Sequence, residues 1–125
     1  MWIYLKRLRT RLIMPLVLLA LAFASITTSF AANIPVIYTF APGGGSVQGG
    51  TAVRIIGDNF RQHSVVTFGG VAGSNVVVSA CRSDGNCSII DVMTPPHAAG
   101  TVTVKVTNPS GASATAPQAF LYTTP

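Results

Sequence analysis

The most constraining stretch of the chain is residues 101–107, Thr-Val-Thr-Val-Lys-Val-Thr. There Val102, Val104 and Val106 alternate with Thr101, Thr103, Lys105 and Thr107. Successive side chains of a strand point to opposite faces, so this run has one dry face and one wet face. The alternation predicts an antiparallel strand in a sheet with one side on a core. Gly100 precedes it, and Asn108-Pro109-Ser110-Gly111 closes it with turn residues. The remaining apolar stretches pack around this strand or beside it.

Charge separates the chain into two parts. Its net charge of +5 comes largely from Lys6, Arg7, Arg9 and Arg11. Downstream, Arg54, Arg61, Arg82 and Lys105 stand against Asp58, Asp84 and Asp91. A body so close to neutral offers no electrostatic footprint for a phosphate backbone, which excludes a nucleic-acid partner.

The basic start is followed by the apolar residues 12–23 and then by small and hydroxylated residues 25–32. This is the layout of a secretory signal peptide over residues 1–31, with a helical apolar core. Ser29-Phe30-Ala31 satisfies the small-x-small rule for cleavage before Ala32, and Ala22-Phe23-Ala24 offers a second site. The alternative is an uncleaved N-terminal anchor, the only route by which this chain meets a membrane. The hydroxyl cluster at 25–29 shortens the apolar run to about a dozen residues, which favours cleavage. No cysteine lies near the leader's end to carry a lipid. The expected destination is outside the cytoplasm: periplasmic, cell-surface or secreted.

Residues 32–125 read as one domain of short strands. Residues 36–40, Val-Ile-Tyr-Thr-Phe, form a first strand between prolines, with Tyr38 and Phe40 on one face. Gly43-Gly44-Gly45-Ser46 is expected to be a flexible bend; without a following lysine it is no phosphate loop. Residues 51–57 form the next strand, with Val53 and Ile55 on one face and Arg54 on the other. Asp58-Asn59 is expected to turn the chain and Phe60 to plug the end. Further strands are 64–70, with Val66 and Phe68 inward, 75–80, and 88–93, with Ile90 and Val92 inward. Residues 71–74 are read as a plain connection. Thr94-Pro95-Pro96 stops a strand, and 112–122 returns along 101–107 with Phe120 and Tyr122 on a shared face. Short strands at turn spacings of 8–12 residues predict an all-β, immunoglobulin-like antiparallel sandwich.

The residues that carry a family resemblance now stand in register. Gly49-Gly50-Thr51, an apolar alternation and Gly57-Asp58-Asn59-Phe60 are followed by Phe68-Gly69-Gly70. Then come Thr94-Pro95, Gly100 with the valine run, Asn108-Pro109-Ser110-Gly111, and Phe120-Leu121-Tyr122. Over residues 34 to 123 the chain resembles the IPT/TIG domain family. The resemblance implies an early-set (E-set) immunoglobulin-like sandwich of the kind found in cell-surface receptors, Rel-type transcription factors and bacterial extracellular proteins.

One segment departs from that pattern: Cys81-Arg82-Ser83-Asp84-Gly85-Asn86-Cys87 replaces the usual plain hairpin. A three-residue turn with Gly85 in the left-handed conformation pairs Arg82 with Asn86 and sets Cys81 across from Cys87. That spacing, with an export signal, predicts a structural disulfide on an exposed hairpin away from the hydrophobic centre. A redox-active pair is the alternative, and only Arg82 is placed to depress a thiol pKa.

Nothing else points to chemistry. The three acids lie on separate turns and edges, no serine sits in Gly-x-Ser-x-Gly, and His63 and His97 read as isolated, solvated loop residues. The expectation is therefore no enzyme, no metal and no cofactor. The leading function is a non-catalytic exported interaction module that binds a protein or mediates adhesion. A polysaccharide-binding accessory domain is the first alternative, and it depends on whether Tyr38 is exposed. A structural component of the envelope or cell surface is the second, and strand-edge pairing would support it.

Overall fold

The computed structural model describes residues 34–125; the expected signal peptide and its boundary with the mature domain lie outside the described residues. Nine strands follow in order: β1 (Val36–Ala41), β2 (Gly44–Ser46), β3 (Ala52–Phe60), β4 (Val65–Phe68), β5 (Val71–Ala72), β6 (Ser74–Cys81), β7 (Cys87–Met93), β8 (Gly100–Thr107) and β9 (Ser113–Thr123). They make two sheets, ordered β1-β3-β7-β6 and β2-β9-β8-β4-β5, with no helix among the described residues. The all-β sandwich expected from the strand pattern is what the chain forms.

The organising strand, β8, lies inside the five-stranded sheet between β9 and β4. Val104 and Val106 are fully buried, while Thr101, Thr103 and Lys105 are exposed. The other inward positions agree with the alternation: Val53 and Ile55 on β3, Val66 and Phe68 on β4, Ile90 and Val92 on β7, Phe120 and Tyr122 on β9. Rings join the sheets. Phe120 packs edge-on against Phe68 at 5.4 Å and Tyr122 at 5.0 Å, and reaches Phe40 of the opposite sheet at 6.4 Å.

Four local expectations are corrected, each for a backbone reason. In β1 the pairing gains one residue between Ile37 and Thr39, so the extra residue, Tyr38, points outward while Ile37 and Phe40 are both buried. Tyr38 and Phe40 therefore lie on different faces. Asp58-Asn59 does not turn the chain. β3 runs through it with a bulge between Ile56 and Phe60, Asn59 takes φ 60°, and Phe60 enters the core opposite Cys87. Gly44–Ser46 is not a loose bend but a short strand parallel to β9, the single parallel pair in the sandwich. Glycine is required there, since a Cβ on Gly44 would stand 2.7 Å from Leu121 O and one on Gly45 would overlap the Thr51 side chain. Residues 71–74 also pair: Val71–Ala72 forms a two-residue edge on β4.

Polar ties close both ends. Tyr122 Oη donates to Pro95 O at 2.8 Å, pinning β9 to the segment after β7. At the other end Asn108, nearly all buried, donates from Nδ2 to Asn59 O at 2.9 Å and lies beside Ser64 Oγ at 2.9 Å. β9 also carries extra residues around Pro117, and Gln118 Nε2 there donates across to Phe40 O at 3.0 Å.

Two outcomes follow for stability. Val104→Ala should lower the free energy of unfolding by about 1–3 kcal/mol, whereas Lys105→Ala should stay within about 0.5 kcal/mol, both read from urea melts. Burial holds the Tyr122 phenol neutral above its ordinary range, with a hydrogen bond to Thr94 opposing part of that shift. The unfolded chain thus loses this proton first. The associated stability is complete below about pH 10 and declines as pH rises from there through the raised folded value. Tyr122→Phe should cost about 1 kcal/mol at neutral pH, by orphaning Pro95 O, and should flatten the alkaline limb of a Tm-against-pH profile.

Candidate functional site

The cysteine hairpin forms by the backbone logic of its turn. Arg82 N donates to Asn86 O at 2.9 Å, Gly85 N donates to Arg82 O at 3.0 Å, and Gly85 has φ 87°. Cys81 and Cys87 face each other across β6 and β7 and are joined by a disulfide. The hairpin is not remote from the core. Cys81 is exposed, but Cys87 has no exposed surface and packs within the hydrophobic cluster next to Phe60. The bulge that brings Phe60 inward is what carries the core to the foot of the hairpin.

Charged side chains hold the hairpin tip down. Arg82 Nη2 meets Asp58 Oδ1 at 2.9 Å, and Arg61 Nη1 donates to Asp84 O at 3.2 Å. The Asn86 backbone N–H is the main influence holding the Asp84 carboxyl below its usual range, with Arg82 and Arg61 adding smaller pulls. These contacts keep the hairpin in place and present no nucleophile or proton-transfer pair. Among the described residues, no three His, Cys, Asp or Glu side chains gather where a metal ion could be held.

The histidines behave differently from each other. His63 is exposed at φ 70°, as a loop residue should be. His97 is half-buried, stacked on Tyr122 at 5.1 Å with Nδ1 3.0 Å from Ala98 O, and its backbone N–H donates to Val47 O. Sequence reasoning placed it in solvent. Proximity to Pro95-Pro96, whose carbonyl receives Tyr122, was the available signal that it lies against the last strand.

The outer faces of the two sheets differ in what surrounds their exposed aliphatic side chains. On the five-stranded sheet the central positions are Thr67, Thr101, Thr103, Lys105 and Thr115, hydroxyls with one charge, and Val65 and Leu121 are exposed beside them. On the four-stranded sheet, Val36, Tyr38, Ile56 and Val77 are exposed, and Ile89 and Met93 are half-buried. The registers align these side chains in rows: Thr39, Ile56, Ile89 and Ser79 form one, and Ala41, Arg54, Asp91 and Val77 the next. Arg54 and Asp91 stand at the centre as a two-pronged pair, Nε to Oδ1 at 2.8 Å and Nη2 to Oδ2 at 3.2 Å. Asp91 makes the Arg54 guanidinium harder to deprotonate, first by hydrogen bonding and then by charge. Beside Ala41 and Ala52, whose side chains are short, the face dips into a shallow, solvent-open depression of about 380 Å³ that reaches Asn75 and Met93. Tyr38, 60% exposed, stands at the β1 margin of this surface. The pairing of Arg54 with Asp91 and the outward turn of Tyr38 were not foreseen from sequence, because both depend on which strands are neighbours and where a bulge falls.

A sequence model of the IPT/TIG domain matches residues 35–122. A search among curated proteins finds no match.

The buried position of Cys87 sets an order among variants. A Cys81→Ala/Cys87→Ala protein should fold and lose about 2 kcal/mol, the chain entropy released by opening a short loop. Cys81→Ser/Cys87→Ser should lose more, because it places a hydroxyl against Phe60 with the core around it. Paired denaturant melts check the ranking; equal losses would mean that Cys87 lies outside the core.

Proposed function

The chain belongs to the IPT/TIG family, and we propose that it is a non-catalytic interaction module. It is exported by its N-terminal leader and binds a protein partner or mediates adhesion through the outer face of the four-stranded sheet. One observation carries this reading: Val36, Tyr38, Ile56 and Val77 are exposed on a single face, together with the half-buried Ile89 and Met93. Exposed aliphatic side chains gathered on one sheet face mark a candidate contact surface. The Arg54–Asp91 pair supports the same view. Such an exposed pair adds little to folding, so its value lies in orienting a partner. The leader, the mature domain at 32–125 and the disulfide are consistent with a location in the periplasm, on the cell surface or in the medium.

The exposure of Tyr38 favours a second reading, a polysaccharide-binding accessory domain, since an exposed ring is what a sugar stacks on. Strand-edge assembly into an envelope layer has less support. The β1 edge is interrupted by the Tyr38 bulge and capped by Gln118, and β6 carries left-handed residues at Asn75 and Ala80 with Gln62 bonded to Val78 O.

Immobilised wild-type chain, an Ile56→Asp/Val77→Asp variant and a Tyr38→Ala variant should be compared for capture of extracytoplasmic proteins and of insoluble cell-wall polysaccharide. Protein capture should fall at least tenfold in the double variant with its Tm retained. Unchanged capture would remove the face from consideration. Polysaccharide retention lost only in Tyr38→Ala would establish the second reading instead.

A further inference from the structure

We propose that the depression beside Ala41 and Ala52 is a subsite for one ring of a neutral oligosaccharide. This rests on the second reading above, a glycan ligand. It adds where on the sheet face the sugar sits and which class of sugar fits.

The depression is made by the register of the sheet. Ala52 pairs with Met93 across β3 and β7, next to the row that holds Ala41, Arg54 and Asp91. Short side chains at 41 and 52 leave the surface low beside the longer Arg54, Asp91 and Met93. On the β6 side the pairing is irregular between Ser74 and Val77, and Asn75, exposed at φ 52°, joins the lining there. The floor is therefore apolar and the rim polar, which suits a sugar ring with C–H groups on its faces and hydroxyls around its edge. The volume, about 380 Å³, lies at the small end of ligand sites, which begin at roughly 300 Å³. That is room for a single ring, held weakly because the depression is open to solvent.

Charge balance on the rim selects the class. Arg54 commits two N–H groups to Asp91 out of the five that a guanidinium carries, so three remain. Asp91 likewise keeps lone pairs to spare. Each side chain holds the other in place, so donors and acceptors are set before a ligand arrives. An anion must compete with Asp91 for Arg54, and a cation must compete with Arg54 for Asp91. A hydroxyl both donates and accepts, so neighbouring hydroxyls of one ring meet the spare groups of both without parting the pair. Asn75 adds an amide whose side chain makes no hydrogen bond among the described residues. Along β1, Tyr38 lies three residues from Ala41, roughly 10 Å at the rise of a strand, within reach of a further ring of the same saccharide.

The test follows amide shifts of the purified chain, as the expressing cell processes it. Neutral gluco-, manno-, galacto- and N-acetylglucosamine oligomers are added up to tens of millimolar. At least one should give saturable shifts centred on Ala52, Asn75 and Met93, and oligogalacturonate and chitosan oligomers should bind at least tenfold more weakly. Ala52→Leu fills the depression, and Asn75→Gly removes the amide while tolerating the positive φ. Each should weaken binding at least fivefold with Tm retained. Should a variant fail to fold, the wild-type shifts decide, and shifts that leave out Ala52, Asn75 and Met93 would overturn the subsite. Saturable binding that both variants leave unchanged would also overturn it, while the glycan reading stands. Charged oligomers that bind as tightly as neutral ones would overturn the assignment of class. No shift with any of these sugars would remove the subsite and the glycan reading together, and leave the protein-binding reading in place.

Discussion

The two sheets are held in register by Phe120. Its ring leans on Phe68 and Tyr122 within its own sheet and reaches Phe40 across the interior. Aromatic contacts of this kind combine a large buried area with a preferred edge-to-face geometry, so they fix angle as well as contact. Tyr122 continues the set outward, ending in one hydrogen bond to Pro95 and a stacked His97. The strand carrying both rings is thereby tied to the chain at three levels. The buried Asn108 gives the opposite end of the sandwich a comparable anchor through Asn59 and Ser64. Between these polar closures, the interior needs only alternating valine, isoleucine and phenylalanine.

The parts of the fold legible in the sequence are those decided within a single strand. The alternation of Val102, Val104 and Val106 states which side is dry whatever the neighbours are. Gly85 likewise states the handedness of its own turn. Parts decided between strands were not legible. Tyr38 and Phe40 are two apart, yet they occupy opposite faces because β1 holds one residue more than β3 along the paired stretch. Gly-Asp-Asn reads as a turn by composition, and Asn59 does adopt a left-handed conformation. The neighbouring strands nevertheless continue past it, so the local bend becomes a bulge. Cys87 shows the same dependence: the turn set the pairing, but the position of Phe60 set its burial. The Arg54–Asp91 pair needed the β3–β7 neighbourhood before either residue acquired a role.

The two solvent faces are built from different side chains. Threonines at the centre of the five-stranded sheet satisfy strand preference and stay hydrated, with Val65 and Leu121 exposed beside them. On the four-stranded side Val36, Ile56 and Val77 are exposed around one ion pair. Bulges and side-chain caps blunt the β1 and β6 edges against further strand pairing.

The bulge in β1 separates what the surface shows from what the interior requires. Ile37 pairs with Gly57 and Thr39 with Ile56, so removing Tyr38 leaves an unbroken ladder with Ile37 and Phe40 still facing inward. The exposed ring occupies a position that the core does not count. A substitution at that position, or its loss, therefore changes the surface without re-solving the packing of the sandwich beneath it.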